Sequence, residues 1–168
     1  MLLVMVVTLS SCQFLIMDLS IVTVSTTVSV RFAETDLMGI THHSAYIVWF
    51  EMGRVAWMDA AGVPYTEISQ AGNHFAVTAI NVSYRASSTF GDTLRLDTKL
   101  TKLRSRQATF NYELYHADSG ILLITGSSEH ICVDLNGAVS KIPLHFLTRL
   151  RNGAAELQVK GREGKRGE

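Results

Sequence analysis

The chain has 168 residues, 47% hydrophobic and only 18% charged, which suits one domain with an ample core and implies that self-association hides some apolar surface. Lys plus Arg and Asp plus Glu each total 15, so no global field for nucleic acid exists and any anion site must be local. Two cysteines, Cys12 and Cys132, make no disulfide framework and fit a reducing, cytoplasmic setting.

Residues 1–17 carry no charge, and Leu2 to Val7 resembles the apolar part of a signal peptide without its basic leader. Leu9-Ser10-Ser11-Cys12 faintly resembles a lipoprotein cleavage box. The segment is short and polar-interrupted for a spanning helix, so no membrane span is expected. It is read as an extension or mis-set start, with Met17 as the true beginning and export as the alternative.

From Val22 to Phe32, apolar residues alternate with Thr23, Ser25, Thr27, Ser29 and Arg31, predicting a long strand with one apolar face. Ala33 to His43 reads as a loop, in which Gly39 can take backbone angles that other residues avoid. Ser44 is a suitable N-cap for a helix that runs to about Ala61 and is stopped by Gly62 and Pro64. Polar residues in it are few, so it is expected to be buried on nearly every side and wrapped by a sheet.

A short helical turn over 64–70 precedes four strands, at about 74–86, 93–104, 106–116 and 121–134, with turn signals between them. Pro143 opens a final short helix to Leu150. Beyond Asn152 no periodic apolar pattern is evident, and residues 152–168 are expected to form a disordered tail. The fold class is therefore α+β: one helix wrapped by a five-stranded antiparallel sheet, in a domain spanning 18–151. Such a sheet leaves an open edge, which pairing across a two-fold axis would close.

Asp36 is the carboxylate best placed for chemistry. It stands in the loop seven residues before His43, whose backbone N–H opens the helix, where unpaired amides and the helix dipole favour an anion. A thioester carbonyl held there would gain stabilisation of its developing oxyanion, while Asp36 attacked it or activated a water. The spacing alone leaves open a turn-capping role for Asp36. Adjacent His42 and His43 lack metal-ligand spacing, so no metal site is expected there. Tyr46 is the best candidate to line an acyl pocket, and Glu51 and Arg54 read as a helix-surface or interface ion pair. Lys99, Lys102, Arg104 and Arg106 form a basic cluster, open to two readings: a solvated hairpin or a phosphate contact.

The run from Ala33 to Arg54 contains T-D-x-M-G (Thr35 to Gly39), His42-His43, Tyr46, Trp49-Phe50-Glu51 and Arg54. This run resembles the signature of the 4-hydroxybenzoyl-CoA thioesterase-like branch of the hot-dog superfamily. The likeness extends through Val82 to Arg85, Phe90 to Asp92 and Ala108 to Phe110, covering about residues 22–150. It implies a hot-dog fold, a homodimer or dimer of dimers, and acyl-CoA hydrolysis without metal or organic cofactor. By position it makes Asp36 the catalytic carboxylate and gives His43 the oxyanion-binding N–H. It also directs Gly39, Tyr46, Arg104 and Arg106 toward substrate binding. Ser44-Ala45 departs from the Ala-Asn that many relatives carry. Rival readings are a thioesterase acting on acyl carrier protein, and a non-catalytic acyl-CoA-binding module on the same fold.

Overall fold

The computed structural model describes residues 22–164, so the readings for residues 1–17 lie outside the described part. The elements run β1 (Thr23–Ser29), a 3-10 turn (Phe32–Glu34), α1 (Ala45–Ala60), α2 (Tyr65–Gln70), β2 (Asn73–Tyr84), β3 (Thr93–Leu103), β4 (Gln107–His116), β5 (Leu122–Asp134) and α3 (Leu144–Gly164). All strands are antiparallel, in the order β1-β3-β4-β5-β2. The sheet curls round α1, as the hot-dog expectation required.

Alternation builds the inner face. Leu94, Leu96, Thr98 and Leu100 of β3 are buried, as are Ala108, Phe110, Tyr112 and Leu114 of β4. Against them α1 lays Trp49, Phe50, Trp57 and Met58, at the spacing that keeps one helical face on the sheet. Phe50 stacks on Tyr112 with ring centroids 4.1 Å apart, and Trp57 meets Phe110 edge-on. Each buried tryptophan removes an area that contributes roughly 4–6 kcal/mol before ordering entropy. Gly53 sets the approach of the helix to the sheet: a Cβ there would collide with Thr98 Oγ1 and come within 2.7 Å of Leu96.

The helix is less enclosed than its composition predicts. Ile47, Val48 and Met52 form an exposed apolar ridge, and on the edge strand β2 so do Val77, Ile80 and Tyr84. Nothing among the described residues covers them. Phe32, expected on the apolar face of β1, is instead 75% exposed, because the chain leaves the strand after Ser29 and tightens into the 3-10 turn.

The C-terminal helix continues well past Leu150, where it was expected to end, and runs to Gly164 through the segment expected as a tail from residue 152. Leu147, Leu150 and Ala154 are buried and Leu157 packs beside them, an i, i+3, i+7, i+10 stripe that directs one face inward. Gly153 lets α3 lie directly on the Ala61 carbonyl at the end of α1, where any Cβ would clash. Arg149 completes the dock, donating to Glu67 Oε2 and to the Gly62 carbonyl, each at 2.5 Å.

Candidate active site

The segment from Arg31 to Ser44 is held by its own backbone. Thr35 and Thr41 pair as an isolated bridge, the Asp36 N–H donates to the Ile40 carbonyl at 3.0 Å, and the Gly39 N–H donates to the Asp36 carbonyl at 2.9 Å. Gly39 makes this reversal with φ +74°, a conformation that side-chain-bearing residues rarely adopt. Thr41 ties the loop to the β2–β3 connection: its N–H donates to the Ser88 carbonyl at 2.8 Å, and its hydroxyl lies 2.8 Å from Ser88 Oγ. Tyr46 reaches the same Ser88 hydroxyl at 3.3 Å.

Glu34 is the second anchor, and the sequence reading gave it no role. Its carboxylate accepts the Arg31 N–H at 2.8 Å, the Arg31 Nη2 at 2.7 Å and the Trp49 Nε1 at 3.0 Å, and its carbonyl accepts the His42 N–H at 2.7 Å. Burial pushes the Glu34 carboxyl up, but the Arg31 and Trp49 hydrogen bonds and the Arg31 charge together outweigh it, so the group sits below the usual range. A depressed carboxyl stabilises the fold above its unfolded-state pKa and loses that contribution as pH falls through the folded value. Glu34→Ala is expected to cost about 1–3 kcal/mol at neutral pH, because Trp49 Nε1 is left buried and unpaired. Urea denaturation measures this, and an unchanged midpoint would deny Glu34 its anchoring role.

At the start of α1, Ser44 does not cap. Its backbone is already helical, and its hydroxyl lies 2.8 Å from His42 Nδ1 rather than on a helix amide. The His43 N–H makes no hydrogen bond among the described residues. The His43 carbonyl is fixed by the Tyr84 hydroxyl, which donates to it at 3.0 Å from β2.

A cavity of about 430 Å3 opens at this point, lined by Asp36, Met38, His43, Tyr46, Tyr84 and Arg85 among others. Asp36 is half-buried in its wall. Oδ1 of Asp36 accepts the Met38 N–H at 2.8 Å, while Oδ2 has no partner among the described residues. One cavity is therefore lined by a carboxylate residue, by a residue at the positive end of a sixteen-residue helix whose amide is unpaired among the described residues, and by an arginine. Hydrolysis of an activated acyl group uses the first two directly. Gly39 shapes the loop behind Asp36 and does not line the cavity. Tyr84 and Arg85 belong to the run that carries the resemblance, but nothing in their spacing signals that the β2–β3 connection turns back over the helix.

Arg104 and Arg106 lie elsewhere. They line a separate recess of about 260 Å3 at the β3–β4 hairpin. Thr93, at the other end of β3, pairs with Ser29 just before the Asp36 loop. The 11 residues of this strand, ten steps and roughly 33 Å, therefore separate the two ends within one chain. Lys99 is paired with Glu113 at 2.9 Å.

The sequence model of the thioesterase-like superfamily matches residues 30–150, a span that contains the whole cavity. The chain belongs to the thioesterase-like superfamily. YneP of Bacillus subtilis, provisionally named an acyl-CoA thioesterase, is 36% identical over 107 residues, covering 64% of this chain and 77% of that protein. Among solved structures, the hypothetical protein TT1821 from Thermus thermophilus superposes with a TM-score of 0.72 at 35% identity, over 76% of this chain and 96% of that one. A DHNA-CoA thioesterase from Staphylococcus aureus gives 0.74 at 27% identity, over 84% and 95%. Both solved structures share the fold of this chain. No helix among the described residues is long and apolar enough to cross a membrane.

Proposed function

We propose that this protein hydrolyses acyl-CoA thioesters to a free acid and CoA, with Asp36 as nucleophile or general base and the His43 N–H as the oxyanion donor. The observation that supports the reading is the shared cavity: Asp36, whose Oδ2 has no partner among the described residues, and His43, whose N–H makes no hydrogen bond among them, both line it. With the thioester oxygen on that N–H, charge developing on attack meets a preorganised donor and the helix dipole. As nucleophile, Asp36 forms a mixed anhydride and expels the CoA thiolate, and water then cleaves the anhydride. As base, it takes a proton from the water that attacks. Either way the leaving thiolate needs no strong general acid. Relatives named as acyl-CoA thioesterases support the substrate class.

The working unit in this reading is a homodimer or a dimer of dimers, which would cover the ridge of Ile47, Val48 and Met52 and the β2 edge. A second copy is also the natural source of Arg104 and Arg106 for the CoA phosphates, given their distance from Asp36 along one chain. The buried free thiol of Cys132 suits a reducing cytoplasm. The test is thiol release from a panel of acyl-CoA and acyl carrier protein esters with straight-chain and aromatic acyl groups. CoA esters are expected to turn over. Binding without thiol release, or a large preference for carrier-protein esters, would replace the reading.

A further inference from the structure

Two residues of one short segment reach the two halves of the proposed reaction centre. The segment runs from Tyr84, the last residue of β2, to Ser88 in the connection to β3. It is anchored on β5, where the Leu123 carbonyl accepts the N–H groups of Arg85 and Ala86 at 2.8 and 3.1 Å. At one end the Tyr84 hydroxyl donates to the His43 carbonyl at 3.0 Å. At the other, the Ser88 carbonyl accepts the Thr41 N–H at 2.8 Å, and the two hydroxyls lie 2.8 Å apart.

The first contact fixes the direction of an amide. The His43 carbonyl takes no backbone N–H among the described residues, because the Ile47 N–H goes to the Ser44 carbonyl instead, at 3.1 Å. A phenol from another element fills that place. One peptide earlier, the His42 carbonyl accepts the Ala45 N–H at 3.0 Å. With both carbonyls held, the His43 N–H between them has little freedom to turn. Partial burial, with Tyr46 adding to it, raises the Tyr84 phenol above its usual range, so it stays a protonated donor at working pH. The second contact fixes the carboxylate loop. Thr41 closes the hairpin that carries Asp36 through its bridge with Thr35. Thr41 and Ser88 are both buried, so no water competes for their hydrogen bonds. Every one of these contacts lies within one chain, and a second copy seated on the β2 edge removes neither donor nor acceptor.

Hydrolysis needs the carboxylate, or the water it activates, and the oxyanion donor to face one carbonyl, and a misplacement of about 1 Å costs on the order of 10^2-fold. We infer that Tyr84 and Ser88 are positioning residues that together set the gap between the Asp36 carboxylate and the His43 N–H. Tyr84 acts through His43 and Ser88 through Thr41, and the short segment between them ties the two halves together. The inference rests on the thioesterase reading.

The test is steady-state thiol release by wild type, Tyr84→Phe, Ser88→Ala and the double variant, on the acyl-CoA ester that wild type hydrolyses best. Each single variant is expected to lower kcat about tenfold with KM within about threefold. Losing either contact already frees the gap, so the double variant should fall about 10- to 30-fold, short of the roughly 100-fold of independent effects. Tyr84→4-aminophenylalanine, whose N–H replaces the O–H, should restore kcat to within about threefold of wild type. If Ser88→Ala does not fold, Tyr84→Phe and this rescue decide alone, since both keep the ring. Tyr84→Phe turning over within about twofold of wild type overturns the inference and leaves the thioesterase reading standing. A loss confined to KM also overturns it, because that marks contact with the substrate instead of positioning. Wild type that releases no thiol from any ester ends the thioesterase reading, and the inference with it.

Discussion

Replacing Asp36 with asparagine is expected to lower kcat for acyl-CoA hydrolysis by roughly 10^3-fold while leaving the fold and the elution volume unchanged. A positioned base or nucleophile contributes about 10^2–10^4-fold, or some 3–5 kcal/mol of the barrier. The substitution is selective because the two oxygens of Asp36 have separate duties. Oδ1 accepts the Met38 N–H and shapes the turn, and an amide oxygen can do the same. Oδ2 has no partner among the described residues, and there an amide nitrogen offers neither a lone pair nor a charge. Thiol release and size-exclusion chromatography on the same preparation check both halves. Turnover within threefold of wild type would remove Asp36 from the chemistry without touching the fold.

Acid is expected to cost the folded state about 3 kcal/mol between pH 6.5 and 4, through His130. Burial, with the Arg54 charge added, pushes this imidazole from 6.5 down to about 4. The unfolded chain takes up a proton as pH falls below about 6.5, whereas the native one stays neutral until about 4. The contribution is therefore complete above 6.5, drains away through that window and is flat below it. Urea midpoints at pH 7, 5.5 and 4.5 should fall in wild type and fall less in His130→Gln. Parallel curves for the two proteins would place the acid-sensitive group elsewhere.

Most of the scaffold was legible because periodicity and turn chemistry agreed. The alternation of Val22 to Val30 and the breaks at Gly62-Val63-Pro64, Gly91-Asp92 and Asn136-Gly137 put every strand and the central helix within a few residues of their places. Local signals failed where a long-range contact decides. Arg54 reads as a helix-surface or interface partner of Glu51, and i, i+3 spacing says nothing about how deeply either side chain is buried. Its burial comes from β4 and β5 closing over it. Helix α3 was cut short because Leu150, Ala154 and Leu157 are sparse among charges, and their stripe acquires meaning only with Ala61 beneath Gly153.

The site divides in the same way. Asp36, His43 and Tyr46, singled out from the motif, line one cavity. Glu34 escaped notice because its three hydrogen bonds join residues from a turn and a helix that the sequence lists fifteen positions apart. Arg104 and Arg106 form a cluster in sequence and a recess in space, but one at the far end of the sheet.

The edge strand carries an irregularity with a consequence of its own. Between Val77 and Ala79 the pairing of β2 with β5 slips by one, and Thr78 stands outside the ladder with its hydroxyl on the Glu129 carbonyl. A strand bent at that point offers a neighbour two short straight stretches instead of one continuous rail. Copies that meet along it can join over a few rungs and must then diverge, which suits a closed pair and starves a growing fibril of template.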